Sequence, residues 1–137
     1  MHSALDCRFG TRYNHLTTEK LGTFRKRFED LQIIIVDEMS MISSDSLYDI
    51  DHRLRDIFIY KETFAGRAMM LNGDLLQLPP IQGSPIFGTP KSAQNKAMAS
   101  TIQIDEEGNK KKGIWNQMDV VNLKTNFRQG KHTYPEI

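Results

Sequence analysis

The sequence has a single cysteine, Cys7, among its 137 residues. One cysteine excludes an internal disulfide and a zinc site of the CxxC type, and it fits a reducing compartment. No apolar run approaches the roughly 20 residues that a membrane-spanning helix needs, so we expect no membrane association. The chain also lacks an excess of either charge, with 18 Lys and Arg against 17 Asp and Glu. Any contact with nucleic acid is therefore expected to be local.

The phosphate-loop pattern G-x-x-x-x-G-K-[ST] is absent as well. In that pattern the lysine directly follows the last glycine, and backbone amides cradle the phosphates. The nearest candidate is GSPIFGTPKS at residues 83–92. There Thr89 and Pro90 separate Gly88 from Lys91, and no predicted strand comes directly before. We interpret this segment as having no phosphate-binding role.

What the chain does contain is the alternation of strand and helix that is typical of α/β domains. Residues 31–36, LQIIIV, are a continuous apolar run of the kind found in parallel strands that are covered on both faces. Ser43, Ser44 and Asp45 are N-cap candidates for a following helix. Residues 67–71, RAMML, predict a second buried strand. The apolar stripe of the helix is Leu47, Ile50, Leu54, Ile57 and Phe58, with Asp51, Arg53 and Arg55 largely off that stripe.

The flanking stretches give weaker patterns. Residues 1–19 predict mainly loop, and residues 21–31 predict a short amphipathic helix. Residues 84–112 predict a long loop or insertion with a hairpin around STIQIDEEGNKK, in which Lys110–Lys112 form a solvated turn and not a phosphate-binding patch. Beyond it the sequence predicts one helical turn at residues 114–118 and a third strand at residues 119–123, DVVNL.

Two adjacent carboxylates, Asp37 and Glu38, directly follow the first strand. Ligands of open α/β sheets bind beyond the carboxyl ends of the strands. An apolar strand that ends in Asp-Glu is the pattern of a Walker B motif. Its first carboxylate holds Mg²⁺ on the phosphates of a nucleotide, and its second acts on the attacking water. The alternative is a pair of solvent-facing acids before a helix, where negative charge is favourable. The apolar run followed by Asp-Glu does not by itself distinguish a Walker B motif from a pair of solvent-facing acids.

Four segments in order resemble one family. They are HSAL (2–5), IIIVDEMSMISSDSLYDIDHRLRDI (33–57), GDLLQLPP (73–80) and NLKTNFRQ (122–129). Together they resemble the PIF-type DNA helicases, RecD-like members of helicase superfamily 1 that include the helicase portion of Helitron transposases. The resemblance covers nearly the whole chain except the loop or insertion at 84–112. It implies that residues 1–137 are part of the first RecA-like domain, an α/β P-loop NTPase fold with a parallel sheet flanked by helices.

The resemblance implies a role for each residue that matches a motif. Asp37 is implied in binding Mg²⁺ and Glu38 in activating water for ATP hydrolysis. Gln77, in helicase motif III, would sense the γ-phosphate through an amide that both donates and accepts hydrogen bonds. Arg128, in motif IV, would be the finger that stabilises charge on the γ-phosphate.

The HSAL segment is implied to contact DNA, with His2 and Ser3 placed on the backbone of a single strand. The implied activity is an ATP-dependent motor that moves 5′ to 3′ on single-stranded DNA or at DNA junctions. The roles known for the family include DNA repair, recombination, telomere and genome maintenance, and transposition. In a eukaryote the implied location is the nucleus. The oligomeric state is not predicted.

Ordinary structural roles stay open for several of these residues. Gln77 could be a loop amide, Arg128 a surface arginine and His2 part of a frayed terminus. His15, His52 and His132 show no recognisable metal-ligand pattern and are predicted to be surface histidines. Trp115 and Phe127 are predicted to be packing residues and not platforms for base stacking.

The chain departs from the family at three points. The family's Gly-Lys-Ser/Thr phosphate loop precedes the HSAL segment, its second RecA-like domain follows motif IV, and its usual glycine after HSAL is Asp6 here. We therefore expect a partial domain that lacks the phosphate-loop strand and has unpaired sheet edges and an uncovered apolar face. We expect the isolated chain to be poorly stable and not to hydrolyse ATP. The alternative function is a non-catalytic relic, or a fragment that binds DNA or a partner.

Overall fold

The computed structural model describes residues 2–7, 13–104 and 108–124. The helices and strands, in chain order, are α1 (His2–Leu5), α2 (Thr18–Arg27), β1 (Ile33–Val36), α3 (Ser44–Phe58), β2 (Ala68–Leu71), α4 (Ala93–Ser100), β3 (Ile102–Ile104) and β4 (Lys110–Lys112). Short 3₁₀ turns lie at Met39–Met41, Thr63–Gly66 and Trp115–Gln117. Within the described ranges, no helix is long and apolar enough to cross a membrane.

The two strands predicted from apolar runs form a parallel pair. Ile33 of β1 lies opposite Ala68 of β2, and the register continues to Val36 opposite Leu71. Side chains alternate along a strand, so one face of the pair packs on the core. The other face is open, with Ile35 60% exposed and Met70 48% exposed. The α/β class is therefore confirmed, whereas the prediction that β1 is covered on both faces is wrong for the described part of the chain.

The long helix α3 supplies most of the core. Its predicted N-cap is confirmed, because the Ser43 hydroxyl accepts a hydrogen bond from the Ser46 amide at 3.1 Å. The predicted apolar stripe is buried from Leu47 through Ile57. Other buried apolar side chains complete this core: Leu5, Cys7, Phe64, Ala65, Ile86 and Ile114. Burial of this stripe positions the helix, and such burial is the usual source of helix stability in a small domain.

Asp51 and Arg53, two of the charged residues predicted to lie largely off the apolar stripe, are also buried. Asp51 is fully buried and accepts a hydrogen bond from the Phe64 amide at 2.5 Å. Its second oxygen lies 2.8 Å from Arg55 Nε, close enough for an ion pair although the two atoms are not aligned as a hydrogen bond. Burial raises the pKa of Asp51 even though Arg55 and the Phe64 amide favour the charged form.

Arg53 ties the first segment of the chain to α3. Its side chain is fully buried, and Nη2 donates to the carbonyl oxygens of Asp6 at 3.2 Å and Asn14 at 2.9 Å. Asp6 has φ of +50°, in the left-handed region that glycine adopts most readily. The glycine usual in the resembled family at this point would suit the same backbone conformation.

The segment from residue 84 to residue 112 is more regular than the predicted loop. It contains α4, which Ser92 caps by accepting a hydrogen bond from the Asn95 amide at 3.2 Å. The predicted hairpin is confirmed, with β3 antiparallel to β4. Lys110–Lys112 form strand β4 and not a turn.

The third predicted strand is wrong. Residues 119–124 have no regular secondary structure, and Val120, Val121 and Leu123 are 72%, 83% and 92% exposed. A strand needs a neighbouring backbone with which to pair, and none of the described residues supplies one. The single helical turn predicted at residues 114–118 is confirmed as the 3₁₀ turn Trp115–Gln117. Residues 1–19, predicted as mainly loop, include the short helix α1 and the start of α2.

Candidate nucleotide site at the ends of two parallel strands

Asp37 and Glu38 lie where β1 ends, and both are exposed. Asp37 Oδ1 accepts a hydrogen bond from the Glu38 amide at 3.0 Å. Glu38 has φ of +55° and ψ of +48°, the left-handed conformation, and begins the 3₁₀ turn Met39–Met41. This local bend stops the strand abruptly and leaves the two carboxylates at the rim of the sheet.

The end of β2 is joined to this bend by backbone hydrogen bonds. The Asn72 amide donates to the Val36 carbonyl at 2.8 Å, and the Met39 amide donates to the Asn72 carbonyl at 2.9 Å. Gly73 follows with φ of +150°, and an added Cβ there would lie 2.8 Å from Met39 N. The exits of both strands are therefore locked together in a way that excludes a side chain at position 73.

Gln77 lies in a turn that starts next to this lock. Asp74 Oδ1 accepts from the Leu76 amide at 2.9 Å, and the Asp74 carbonyl accepts from the Gln77 amide at 3.1 Å. Gln77 itself is exposed. The structure thus brings the Asp37–Glu38 bend and the Gln77 turn to the same edge of the sheet, at the carboxyl ends of β1 and β2.

Of the other predicted site residues, His2 and Ser3 lie in α1. Ala4 and Leu5 of the same helix line an open groove of about 440 Å³. Asp37 also lines that groove, so α1 and the first carboxylate border the same open space. Arg128 lies outside the described residues.

Residues 83–92, the nearest match to a phosphate loop, form hydrogen bonds with another segment of the same chain. The amides of Lys91 and Ser92 donate to the two carboxylate oxygens of Asp45 at 2.8 and 3.0 Å. Partial burial favours a higher pKa for Asp45, but these hydrogen bonds and those of the Asn95 side chain outweigh it and hold the pKa below its usual value. A protein carboxylate thus takes the donors at the start of α4. This supports the interpretation that residues 83–92 are not a phosphate cradle.

The donor set of the site fits an Mg²⁺ ion that is also coordinated by phosphate and water. Asp37 and Glu38 carry hard oxygen ligands, and Mg²⁺ is usually held by one or two carboxylates together with phosphates and waters. Within residues 2–7, 13–104 and 108–124, no group of three or more His, Cys, Asp or Glu residues could hold a metal. The pair therefore suits an ion that is shared with a nucleotide, and we expect the protein alone to bind a divalent ion only weakly.

The histidine and aromatic predictions can be compared with the structure in part. His15 is exposed, with Nδ1 3.4 Å from Asp56 Oδ2, as expected of a surface histidine. His52 is partly buried, and its Nδ1 lies 3.0 Å from the side-chain nitrogen of Gln94. Trp115 packs against the core, so its predicted packing role is confirmed. Phe127 and His132 lie outside the described residues.

Two residues of this edge were missed from the sequence, Asn72 and Gly73. The Asn-Gly pair directly follows a predicted strand, and such pairs mark turns. Gly73 is also the first residue of the GDLLQLPP segment, but the resemblance implies no role for Asn72 or Gly73. Its contact with the Asp37–Glu38 bend depends on the pairing of β1 with β2, which lie far apart in the chain.

Comparison with known proteins places these segments in context. The family model of the PIF1-like helicases matches residues 2–136. The chain is 29% identical over 79 residues to the ATP-dependent DNA helicase PIF1 of Saccharomyces cerevisiae (strain YJM789). The matched segment is 58% of this chain and 9% of that protein. It is 29% identical over 98 residues to the protein of the same name from Rattus norvegicus, 69% of this chain and 14% of that protein. The chain therefore spans a small part of the length of these relatives.

Solved structures of Bacteroides Pif1 are also similar to this chain. The structure bound to ssDNA is 30% identical, covers 72% of this chain and 22% of its own chain, and gives a TM-score of 0.48. The structure in complex with ADP-AlF3 and ssDNA is 33% identical, covers 59% of this chain and 19% of its own, and gives a TM-score of 0.49.

Proposed function

This chain belongs to the PIF1-like helicase family, and we propose that it forms part of the ATPase motor of a DNA helicase that moves 5′ to 3′ on single-stranded DNA or at DNA junctions. The observation that carries the proposal is the meeting of the Asp37–Glu38 bend with the Gly73–Gln77 turn at one edge of the sheet. Ligands of open α/β sheets bind at such an edge. The names of the relatives, ATP-dependent DNA helicases, support the same activity.

The chemistry assigned to this edge is ATP hydrolysis. Mg²⁺ bound with ATP neutralises charge on the β and γ phosphates. Asp37 would hold that ion through a carboxylate oxygen, because it stands at a rigid strand end. Glu38 would orient the attacking water and accept its proton. The carbonyl and amide of the Gln77 side chain would contact the γ-phosphate and the water, and Arg128 would stabilise the charge that develops during transfer.

Contact with DNA is assigned to α1. His2 and Ser3 would touch the backbone of a single strand, and one groove lined by Ala4, Leu5 and Asp37 supports a continuous surface between α1 and the strand end. The Bacteroides relatives bound to ssDNA and to ADP-AlF3 support both ligand classes. We further propose a nuclear location for a eukaryotic source, with DNA repair, recombination, telomere maintenance or transposition as the process served.

The metal role of Asp37 can be tested on this chain. The ¹⁵N-labelled protein is titrated with Mn²⁺, which replaces Mg²⁺ and broadens the amide signals near it. We expect broadening centred on residues 36–39 and 72–77, weaker in Asp37→Asn and unchanged in Asp30→Asn, an exposed control. Broadening centred elsewhere, or unaffected by Asp37→Asn, would contradict the assignment.

A second candidate function is favoured by a specific observation. The 137 residues contain no phosphate-loop pattern, and the sheet face that carries Ile35 and Met70 is open. The chain by itself would then be a non-catalytic fragment that binds DNA or a partner. Single-stranded DNA binding by the purified chain without detectable ATP binding supports this candidate. Robust DNA-stimulated ATP hydrolysis by the same preparation would exclude it.

A further inference from the structure

The backbone of Glu38 is held in a conformation that a residue with a side chain rarely adopts. Its φ of +55° lies in the left-handed region. Conformations of this kind persist where neighbouring structure fixes them, and they concentrate at functional sites. The hydrogen bond from the Glu38 amide to Asp37 Oδ1 is local and holds only one side of the bend. The other side of the bend is held by a different segment of the chain.

The opposite side of the bend rests on Asn72 and Gly73. The Met39 amide, which follows Glu38, donates to the Asn72 carbonyl at 2.9 Å. A Cβ at Gly73 would lie 2.8 Å from Met39 N, 3.1 Å from Met39 Cγ and 3.4 Å from the Glu38 carbonyl carbon. The first of these distances is too short for any side-chain-bearing residue unless the backbone moves. Only glycine allows the two chain segments to approach so closely.

We propose that Gly73 is a positioning residue for Glu38. Its bare Cα lets the Met39 amide reach the Asn72 carbonyl, and this contact keeps Glu38 in the left-handed bend with its carboxylate at the rim of the sheet. The Gln77 turn begins at Asp74, the next residue along the chain, so the same contact fixes the spacing between Glu38 and Gln77. The catalytic meaning of this positioning rests on the proposed function, whereas the contact itself does not.

The test compares Gly73→Ala with Gly108→Ala by NMR on the full 137-residue chain. Gly108 also has a positive φ, +83°, but an added Cβ there meets no atom of the described residues within 4 Å. The control therefore carries the backbone strain of alanine without the steric conflict. In Gly73→Ala we expect hydrogen exchange of the Met39 amide to become at least about tenfold faster, since its acceptor is displaced. We also expect the ¹³C shifts of Glu38 to leave the left-handed range, while Gly108→Ala matches the wild type.

A second readout separates positioning from a general effect on stability. The Mn²⁺ concentration that half-broadens the Glu38 amide should rise at least about threefold in Gly73→Ala, because the two carboxylates no longer share one geometry. It should stay constant in Gly108→Ala. Unchanged Glu38 shifts, Met39 exchange and Mn²⁺ response in a folded Gly73→Ala chain would overturn the proposal.

If Gly73→Ala does not fold, NMR of the wild-type chain tests the proposal instead. A nuclear Overhauser contact between Gly73 Hα and the Met39 amide proton, together with slow exchange of that amide, supports the positioning contact. Absence of the contact overturns it. If the contact is present but Mn²⁺ does not broaden Asp37 and Glu38, the positioning contact is supported and the metal role in the proposed function fails.

Discussion

The Met39 amide donates a hydrogen bond to the Asn72 carbonyl at 2.9 Å, and this bond joins the ends of two parallel strands. Asp37 and Glu38 precede Met39, and Gly73 follows Asn72. Two segments that are distant in the chain thus meet at one edge of the sheet. This meeting is the structural basis of the proposed nucleotide site.

The buried carboxylate of Asp51 is expected to be a strong determinant of stability. Asp51→Ala leaves the buried Phe64 amide without its acceptor and Arg55 without its ion-pair partner. Removal of one partner from such a pair costs about 3–5 kcal/mol. The free energy of unfolding in urea measures this cost, with the exposed Asp30→Ala as a control that should change it by less than about 0.5 kcal/mol. Equal stability of both variants would contradict the assigned contacts.

Asp45 should make the chain acid-sensitive. Its pKa is held below the usual value, against partial burial, by the Lys91 and Ser92 amides. A lowered pKa contributes stability above the pKa of the unfolded chain, and this contribution is lost as pH falls through the folded pKa. Asp45→Asn should therefore cost about 1 kcal/mol at pH 7, since the group is partly exposed, and less at low pH.

The measurement for Asp45 is the unfolding free energy of both proteins from about pH 7 to about pH 3, a window that spans the usual aspartate pKa. Asp49 and Asp51 have raised pKa values because of burial. Both contributions are present at low pH and are lost as pH rises. The charge of Asp45 also raises the pKa of Asp49, so the difference between the two curves reports Asp45 together with its coupling to Asp49. A difference that grows toward low pH would contradict the prediction.

Cys7 should react slowly with thiol reagents in the folded chain. It is 3% exposed, and burial raises its pKa. Because the thiolate is the reactive form, we expect modification at about pH 8 to be on the order of 100-fold slower than in urea. The double variant Cys7→Ser/Thr101→Cys places a thiol at an exposed position as a control and should react rapidly. Equal rates for the two folded proteins would show that Cys7 is accessible.

The open face of the β1–β2 pair should drive self-association. Ile35 is 60% exposed on this face, whereas its neighbour Ile34 packs against the core. Ile35→Thr keeps a β-branched residue and should reduce association in sedimentation velocity with little loss of stability. Ile34→Thr should destabilise the fold by about 1–3 kcal/mol. The reverse ranking of the two variants would mean that the faces are assigned incorrectly.

The correct predictions of the fold depend on local sequence signals. The Ser43 cap, the stripe of α3, the two apolar strands and the β3–β4 hairpin each depend on residues close together in the chain. The burial of Asp51 and Arg53 escaped prediction because their partners, the Phe64 amide and the Asn14 carbonyl, come from other segments. The strand predicted at residues 119–123 failed for the same reason, since pairing depends on a distant neighbour.

In the candidate site, too, local sequence signals were predictive and contacts between distant segments were not predicted. The resemblance to PIF-type DNA helicases is confirmed by the family match over residues 2–136. Asp37 and Glu38 were predicted at a strand end because the strand and the acids are adjacent. Gly73 was missed, since its role depends on contact across the sheet. The functions of Gln77, Arg128, His2 and Ser3 stay predictions.

The general-base role of Glu38 can be measured in a full-length PIF1-like helicase, at the glutamate that aligns with Glu38. Replacement by glutamine, Glu38→Gln in this numbering, keeps the size of the side chain and removes its basicity. We predict that the rate of ATP hydrolysis falls at least about 100-fold while ATP affinity changes less than about threefold. Turnover close to that of the wild type would contradict the account.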